Sequence, residues 1–149
     1  MKPKFIKYFM GIADLTAKLS YAKRLQVGAV IVKGNQIIGT GYNGMPTGWD
    51  NNCEEKVWNV HDGDYTLKTK PEVLHAESNA VAKVSRSTES SEGAMLFCTH
   101  APCIECAKLI HQSGINTLYY RKHYRDDSGL QFLKQGGVNV HQFTDSVQS

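Results

Sequence analysis

Apolar side chains at the start of the chain repeat with the period of an α-helix. The apolar positions are Phe5, Ile6, Phe9, Met10, Ala13 and Ala17. Their spacing puts them on one face of a helix, and Pro3 suits the first turn, where the backbone N–H has no intrahelical partner. The pattern predicts an amphipathic helix that ends near Ser20.

Two runs rich in β-branched residues follow this helix. They cover residues 27–32 and 37–40, and the dipeptide Gly34-Asn35 lies between them. β-branched residues favour strands, and glycine and asparagine tolerate the positive φ angles of a two-residue hairpin turn. The segment is therefore predicted to form an antiparallel β-hairpin.

The periodic pattern disappears between Asn43 and Val73. Turn-forming residues dominate this stretch, as in NGMPTGWDNN and HDGDY. The prediction is a long irregular insertion. Connections of this length are uncommon inside a compact domain and are often functional, so the insertion is a candidate substrate lid.

Helical and strand patterns alternate through the rest of the chain. Helices are predicted at 75–85, 103–114 and 126–135, and strands at 94–99, 116–121 and 138–143. This alternation predicts an α/β fold in which helices pack on the faces of a central sheet. The length fits one domain over residues 1–149, with only residues 145–149 expected to fray.

Composition and charge narrow the classes of partner. The 149 residues carry a formal net charge of +3, and the Lys and Arg residues are dispersed along the chain. A phosphorylated small molecule suits this balance better than a long nucleic acid. The N-terminal segment carries Lys at positions 2, 4 and 7 and lacks an apolar run long enough for a signal peptide or a membrane span. A cytoplasmic protein without a membrane partner is predicted.

Two short motifs carry the candidate chemistry, HAE at 75–77 and PCIEC at 102–106. In a reducing compartment, cysteines are more often metal ligands or buried residues than disulfide partners. A Cys-x-x-Cys pair in the first turn of a helix directs both sulfurs to one side, and the positive end of the helix dipole favours thiolates. His75, Cys103 and Cys106 thus offer three ligands for a tetrahedral Zn²⁺ whose fourth position stays open for water, as in catalytic sites.

Glu77 is the candidate proton carrier. It lies about 200° around an ideal helix from His75, so the two side chains converge only if the histidine occupies an irregular helix start. From there Glu77 takes a proton from the water and later delivers one to a leaving amine. A CxxC pair also occurs in redox proteins and structural zinc knuckles, but a redox pair needs no distant His-x-Glu. A knuckle needs a second ligand pair, for which Cys53 and His61 are poorly spaced.

HAE together with PCxxC is the signature of zinc-dependent nucleobase deaminases. Beyond it, the segments RLQVGAVIV, GTGYNGMP, HAESNA, HAPCIECAKLIHQSGI and TLYYRKHY resemble the deoxycytidylate (dCMP) deaminase family of the cytidine-deaminase-like superfamily. The likeness extends over nearly the whole chain. HAE and PCxxC are shared across the superfamily, whereas GYNGMP and the ECAKLI and SGI segments point to its nucleotide-specific branch.

This resemblance implies a fold, an activity and its regulation. The implied fold is a three-layer α/β/α sandwich with a central five-stranded mixed sheet. The implied activity is that of a hydrolase that converts dCMP to dUMP and ammonia with the help of zinc. Members of the family usually assemble as homohexamers, are activated by dCTP with Mg²⁺ and are inhibited by dTTP.

The resemblance also assigns substrate-binding residues. Asn43 matches an asparagine that binds the sugar or base, although Asn-Gly after a strand is also an ordinary turn. Tyr120 matches a pocket-lining aromatic residue at a strand end, where a core tyrosine is the alternative. Ala76 is assigned to substrate binding within the HAE motif. Arg24 is a candidate for the substrate phosphate, which a guanidinium binds in bidentate fashion, or else a solvated charge at a helix exit.

Regulatory positions are implied in and near the GYNG segment. Gly41, Tyr42 and Gly44 are candidates for binding the regulatory nucleotide at a subunit interface, and Arg86 matches a position near subunit contacts. Relatives with a second, structural zinc use a cysteine before RLQVGA, where this chain has SYAKR. A second metal is therefore not expected, and Cys53, His61 or His100 could supply only part of its ligand set. Cys98, inside an apolar strand, is predicted to be a buried small residue.

Two alternatives to dCMP deamination remain open. One is a deaminase of another cytosine nucleoside or nucleotide, or of tRNA adenosine. A tRNA enzyme is expected to show a more basic face, and an enzyme for free nucleosides has no use for an arginine at the phosphate. The other alternative is a binding module in which zinc only holds the fold. Glu77 argues against this module, because a structural zinc needs no proton carrier.

Overall fold

The structure, a computed structural model, describes residues 1–145. Its elements follow one another as α1 (Pro3–Ala17), β1 (Gly28–Lys33), β2 (Gln36–Tyr42), β3 (Glu54–Trp58), β4 (Tyr65–Thr69), α2 (Ala76–Ser85), β5 (Met95–His100), α3 (Ile104–Gln112), β6 (Thr117–Lys122), α4 (Ser128–Gln135) and β7 (Asn139–Gln142). The helices and the central strands begin and end within a few residues of the predicted bounds. Fraying was expected for residues 145–149. Of these, only residue 145 lies within the described part of the chain.

Five of the strands form one mixed sheet in the order β2-β1-β5-β6-β7. β1 pairs antiparallel with β2 and with β5, whereas β5-β6 and β6-β7 are parallel pairs. α1 packs on one face of the sheet, and α2, α3 and α4 pack on the other. The predicted α/β fold, with a five-stranded mixed sheet between helical layers, is therefore confirmed.

The two faces of the sheet bury separate apolar clusters. Under α1, Phe9 and Met10 pack against Val30 and Phe97. The opposite face carries the larger cluster, which includes Cys98, a fully buried residue as predicted. Because successive strand residues point to opposite faces, one continuous apolar run supplies both clusters. Among the helices of residues 1–145, none has both the length and the apolar character needed to cross a membrane.

The predicted hairpin forms from β1 and β2. Gly34 and Asn35 have φ angles of 57° and 62°, and positive values at both central residues are what a type I′ turn requires. A register shift between Ile31 and Val32 breaks the regular pairing further along the hairpin. Irregularities of this kind increase the twist of the strand pair locally.

The insertion between residues 43 and 73 is not irregular throughout, and that prediction was wrong. β3 and β4 pair antiparallel, from Glu54 opposite Thr69 to Trp58 opposite Tyr65, and the two rings of the last pair lie 5.0 Å apart between centroids. Most side chains of both strands are exposed. Neither strand therefore shows the alternation of apolar and polar residues that marks a half-buried strand. Cross-strand pairs such as Trp58 with Tyr65 stabilise this hairpin.

β2 and the first turns of α2 lie in close contact at Gly41. A Cβ placed there would lie 2.2 Å from the Ala76 carbonyl oxygen and 2.6 Å from the Ala80 amide nitrogen. The side-chain amide of Asn79 also donates to the Tyr42 carbonyl oxygen at 2.8 Å. The absence of a side chain at Gly41 therefore lets the helix that carries the HAE motif seat directly on the sheet.

We expect Gly41→Ala to destabilise the fold, because the added methyl group must displace backbone atoms of α2. Overpacking of this kind costs about 1–3 kcal/mol of the free energy of unfolding, which urea unfolding measures. Gly44→Ala is the matched control, because a Cβ there meets nothing closer than Cε2 of Tyr42 at 4.0 Å. Equal stability of Gly41→Ala and the wild type would contradict the packing account.

Candidate active site

The HAE motif lies where α2 begins. His75 is the N-cap residue and has extended backbone angles (φ −80°, ψ 152°), while Ala76 and Glu77 fill the first turn. Two backbone hydrogen bonds between Gly44 and Leu74, at 3.0 and 2.8 Å, hold the chain just before the histidine. An extended N-cap departs from the 100° step of a helix, so the side chains of His75 and Glu77 can approach the same point. The structure shows the irregular helix start that the motif needs.

The cysteine pair lies where α3 begins. Cys103 is the N-cap residue, again with extended backbone angles (φ −71°, ψ 169°), and Cys106 lies in the first turn. Cys103 is half-buried and Cys106 is buried, and all four cysteines of the chain are free thiols. The buried Pro102 precedes the N-cap, so the entry of the chain into the helix is restricted. Both sulfurs are therefore available as ligands.

His75, Cys103 and Cys106 form a compact group of metal-ligating atoms. Nδ1 of His75 lies 3.3 Å from the Cys106 sulfur and 3.6 Å from the Cys103 sulfur. Ligand atoms of a tetrahedral zinc with bonds of about 2.0–2.3 Å lie roughly 3.5 Å apart, so these separations fit the ion. Within residues 1–145 no fourth His, Cys, Asp or Glu joins the group, which leaves the open position that a catalytic zinc needs.

Hydrogen bonds within this group favour a thiolate. Contacts with the Cys106 thiol and with His75 lower the pKa of Cys103 to about 3. The contact with Cys103 raises the pKa of Cys106 and that of His75 above their ordinary values. The three side chains thus share protons that a divalent cation would displace on binding.

Glu77 is buried beside the ligands. The residue is 4% exposed, and this burial raises the pKa of its carboxyl group above the ordinary value. A hydrogen bond links the carboxyl group to the Cys106 thiol, and Glu77 lines the same cleft as His75 and Cys103. A carboxyl group with a raised pKa exchanges protons more readily near neutral pH, as a general acid and base must.

A cleft of about 690 Å³ opens in front of these groups. Six of the predicted site residues line it, namely Arg24, Asn43, His75, Ala76, Glu77 and Cys103. The volume falls in the range of cavities that hold small organic ligands. The fold therefore brings residues from the loop before β1, the end of β2 and two helix starts to one cavity.

Asn43 is held by two hydrogen bonds of its side chain to backbone groups. Its Oδ1 accepts the Val27 N–H and its Nδ2 donates to the Leu25 carbonyl oxygen, both at 2.8 Å. These bonds fix the loop before β1 at the cleft. The amide keeps one further N–H, and its assignment to sugar or base binding stays a prediction.

Arg24 is exposed at the edge of the cleft, against the open end of the β3-β4 hairpin. Its Nη1 donates to Oγ1 of Thr69 at 3.1 Å. Glu54, itself 4% exposed, accepts the backbone N–H groups of Lys23 and Arg24 at 2.8 and 3.0 Å. The hairpin therefore fixes the direction from which the guanidinium reaches the cleft. Contact of the Arg24 guanidinium with a substrate phosphate stays a prediction. Closure of the insertion, residues 43–73, as a substrate lid stays a prediction as well.

Tyr120 does not line the cleft, although it lies one layer behind it. The residue is buried, and its ring meets the ring of His123, a cleft residue, at 5.4 Å between centroids in an edge-on arrangement. A direct role in substrate binding stays a prediction. The structure supports an indirect one, in which Tyr120 orients the His123 ring.

The predicted regulatory residues lie outside the cleft lining. Gly41 and Tyr42 pack against α2 through the contacts given above, and Gly44 pairs with the residue before His75. Arg86 is the exposed C-cap residue of α2. Nucleotide binding by these residues stays a prediction.

One wall of the cleft, here called the basic wall, was not predicted from the sequence. His100, Lys122, His123 and Arg125 line it from the ends of β5 and β6 and from the loop that follows. The sequence did carry a signal. His100 directly follows one predicted strand, and the basic run that begins at Lys122 directly follows another, each ahead of a predicted helix. The carboxyl ends of parallel strands meet at one edge of a sheet, where ligands bind.

Comparison with known proteins gives the family of the chain. The model for the cytidine and deoxycytidylate deaminase zinc-binding region matches residues 3–122. The deoxycytidylate deaminase of Saccharomyces cerevisiae is 36% identical over 145 residues, covering 97% of this chain and 46% of the yeast protein. That of Mycobacterium phage D29 is 39% identical over 126 residues, covering 81% of this chain and 97% of the phage protein. The chain thus spans about half the length of the yeast relative.

A solved structure matches nearly the whole fold. The crystal structure of dCMP deaminase from the cyanophage S-TIM5, in complex with dCMP and dUMP, has a TM-score of 0.85 to this chain at 42% identity. The match covers 96% of this chain and 99% of the phage chain. The HAE and PCIEC motifs both fall inside the family match, and the structure brings their side chains together. This chain belongs to the cytidine and deoxycytidylate deaminase family.

Proposed function

We propose that this chain is a zinc-dependent hydrolase that deaminates dCMP to dUMP and ammonia. The observation that carries the proposal is the group of His75, Cys103 and Cys106, whose ligand atoms lie within 4.8 Å of one another. Glu77 is buried beside the group, and the cleft opens in front of it. The substrate is supported by two deoxycytidylate deaminases among the relatives and by the cyanophage enzyme that holds dCMP and dUMP.

Three side chains hold the metal, and a fourth moves protons. His75, Cys103 and Cys106 would bind Zn²⁺, which as a Lewis acid makes an activated water available near neutral pH. Glu77 takes up a proton as the water oxygen attacks C4 of the cytosine, and passes a proton to ring N3. It then takes the second proton from the oxygen now bonded to C4 and gives it to the exocyclic amine. The C4–N bond breaks, ammonia leaves, and C4 keeps the oxygen as a carbonyl group. Burial of the carboxyl group keeps this exchange away from bulk water.

The cleft walls supply the proposed substrate contacts. Arg24 reaches a phosphate from the cleft edge, and Asn43, whose amide is already fixed to the backbone, contacts the sugar or base. The small side chain of Ala76 leaves room for the base beside Glu77. Tyr120 acts through its ring contact with His123.

The proposal also includes regulation of the enzyme by nucleotides. dCTP with Mg²⁺ would activate and dTTP would inhibit a homohexamer by binding at Gly41, Tyr42 and Gly44, with Arg86 near the subunit contacts. The packing of Gly41 and Tyr42 on α2 supports this idea, because a ligand there would act on the helix that carries Glu77. The proposed enzyme is a single domain over residues 1–149 that works in the cytoplasm and binds neither nucleic acid nor membrane.

Replacing Glu77 with Gln is expected to abolish deamination while the metal stays bound, because the amide keeps the shape of the side chain and loses its proton exchange. General acid–base catalysis contributes about 10²–10⁴-fold, so kcat for dCMP should fall at least that far. Ammonia release and metal analysis of one sample measure both effects.

Glu105→Gln is the matched control for this substitution. Glu105 lies in the same PCIEC motif, but its side chain is 77% exposed and pairs with Lys108 on the surface of α3. The control should keep the wild-type rate. Near-normal turnover by Glu77→Gln would show that another group moves the protons.

Metal content provides a separate test of the ligand set. Chelation of the wild-type protein should remove both zinc and activity, and added zinc should restore them. Cys103→Ala should bind zinc far more weakly, whereas Cys53→Ala, which removes a buried thiol outside the group, should keep the wild-type zinc content. Full zinc occupancy in Cys103→Ala would remove that residue from the ligand set.

A substrate panel separates the proposal from its alternatives. The wild-type enzyme should release ammonia faster from dCMP than from CMP, dCTP or deoxycytidine, and each is assayed with and without dCTP or dTTP as effector. dCTP should raise the rate on dCMP at low substrate and dTTP should lower it. No release from dCMP by the zinc-loaded protein would favour a non-catalytic zinc module, and equal rates on deoxycytidine would favour a nucleoside enzyme.

A further inference from the structure

His100 lies at the carboxyl end of β5, on the cleft, and the proton-transfer scheme gives it no role. In the parallel pairing of β5 with β6 it stands opposite Lys122, and both residues line the cleft. The side chain is half-buried. It is not part of the metal-ligating group.

A chain of hydrogen bonds ends on the His100 ring. The Gly28 N–H donates to Oγ1 of Thr99 at 3.1 Å, and this oxygen lies 2.9 Å from Nδ1 of His100. Thr99 is 5% exposed, so its hydroxyl group is largely hidden from water. An amide N–H can only donate, which makes the Thr99 oxygen the acceptor of the first bond. Within residues 1–145, the Nδ1 atom is the partner left for the hydroxyl proton.

The direction of the Thr99–His100 hydrogen bond determines which ring nitrogen carries the proton. When Nδ1 of His100 accepts the Thr99 hydroxyl proton, the neutral ring must carry its own proton on Nε2. Burial, followed by the charge of Lys122, lowers the pKa of His100, and Asp14 opposes this shift. The neutral ring is therefore favoured. Among the described residues no acceptor meets the Nε2–H, which is free to donate to a molecule in the cleft.

The surroundings of His100 select the kind of acceptor. Lys122 and Arg125 line the cleft with it, and Arg24 lines the cleft from the loop before β1. Two carboxyl groups also line the cleft. Glu54 already accepts two backbone N–H groups, and burial raises the pKa of the Glu77 carboxyl group. Three cations favour an anionic ligand group, and hydrogen bonds from N–H donors to charged oxygens are the strong ones.

We propose that His100 donates its Nε2–H to a phosphoryl oxygen of the bound nucleotide and so selects the monophosphate over the nucleoside. Thr99 is a positioning residue in this arrangement, because its hydroxyl group selects the tautomer of His100. The proposal rests on the proposed function, since it concerns the nucleotide in the same cleft. It adds a neutral donor to the cationic groups that the phosphate meets.

Binding of the reaction product tests the contact without turnover. The dissociation constants of dUMP and deoxyuridine, which differ by the phosphate, are measured by calorimetry on the zinc-loaded wild type, His100→Leu and His100→Gln. A hydrogen bond to a charged group corresponds to about a 10–100-fold change in affinity. His100→Leu should lose this factor for dUMP and keep the wild-type affinity for deoxyuridine. His100→Gln, whose amide places an N–H near the Nε2 position, should recover most of the loss.

The tautomer is observed directly by two-bond ¹H–¹⁵N correlation spectra of the ¹⁵N-histidine-labelled holoenzyme. His100 should show a neutral ring protonated on Nε2, and Thr99→Ser should preserve this form. Thr99→Val lacks the hydroxyl group and should lose the preference. The melting temperature of each variant shows whether it is folded. If Thr99→Val fails to fold, the wild-type spectrum and the affinities of the His100 variants decide whether His100 donates from Nε2.

Several results would overturn the proposal. For His100→Leu, these are an equal loss of affinity for dUMP and deoxyuridine, or an unchanged affinity for dUMP. For the wild type, they are no binding of dUMP, or a His100 ring that is protonated on Nδ1 at neutral pH. Failure of the proposed deaminase activity can be told apart from failure of the proposed His100 contact, because in the first case the wild type releases no ammonia from dCMP. The binding and tautomer measurements need no turnover and decide the role of His100 in either case.

Discussion

The site depends on two helices that start at the same place in space. His75 and Cys103 are both N-cap residues with extended backbone, so their side chains lie beyond the helix ends instead of along the helix sides. The ligand atoms then meet within 4.8 Å although 28 residues separate the two positions in the chain. A shift of either helix along its axis by one turn would separate them by about 5 Å and destroy the group.

The sheet holds these helix starts by backbone contacts. α2 seats against β2 where Gly41 presents no side chain, and the Gly44 and Leu74 hydrogen bonds hold the chain just before the first ligand. α3 follows β5 after a short link that contains the buried Pro102. The interior of a protein is densely packed, so contacts of this kind fix positions to a fraction of an ångström. The contacts with the sheet therefore determine the arrangement of His75, Cys103 and Cys106 as much as the three side chains themselves do.

The rim of the cleft is organised by polar groups that are buried or half-buried. The carboxylate of Glu54 binds the backbone before β1, the amide of Asn43 binds the same loop, and the hydroxyl of Thr99 links β1 to His100. Buried polar groups are costly unless they are paired, and pairing them to backbone atoms fixes loops that have no regular structure. The loops around the cleft are thus held by side chains that hydrogen-bond to backbone atoms.

The order of the helices and of the five central strands followed from the sequence alone, because the period of apolar residues and the Gly34-Asn35 turn are local features. The HAE and PCIEC motifs likewise pointed to residues that the structure brings together, His75, Cys103 and Cys106 with Glu77 beside them, since each residue type has its own chemistry. The β3-β4 hairpin and the basic wall with His100 were decided by the tertiary structure. Exposed strands lack an apolar period, and a basic residue becomes part of a site only when packing carries it there. The hydrogen bond from Gly28 to Thr99, on which the proposed tautomer of His100 depends, joins residues 71 positions apart, a contact that local sequence cannot express.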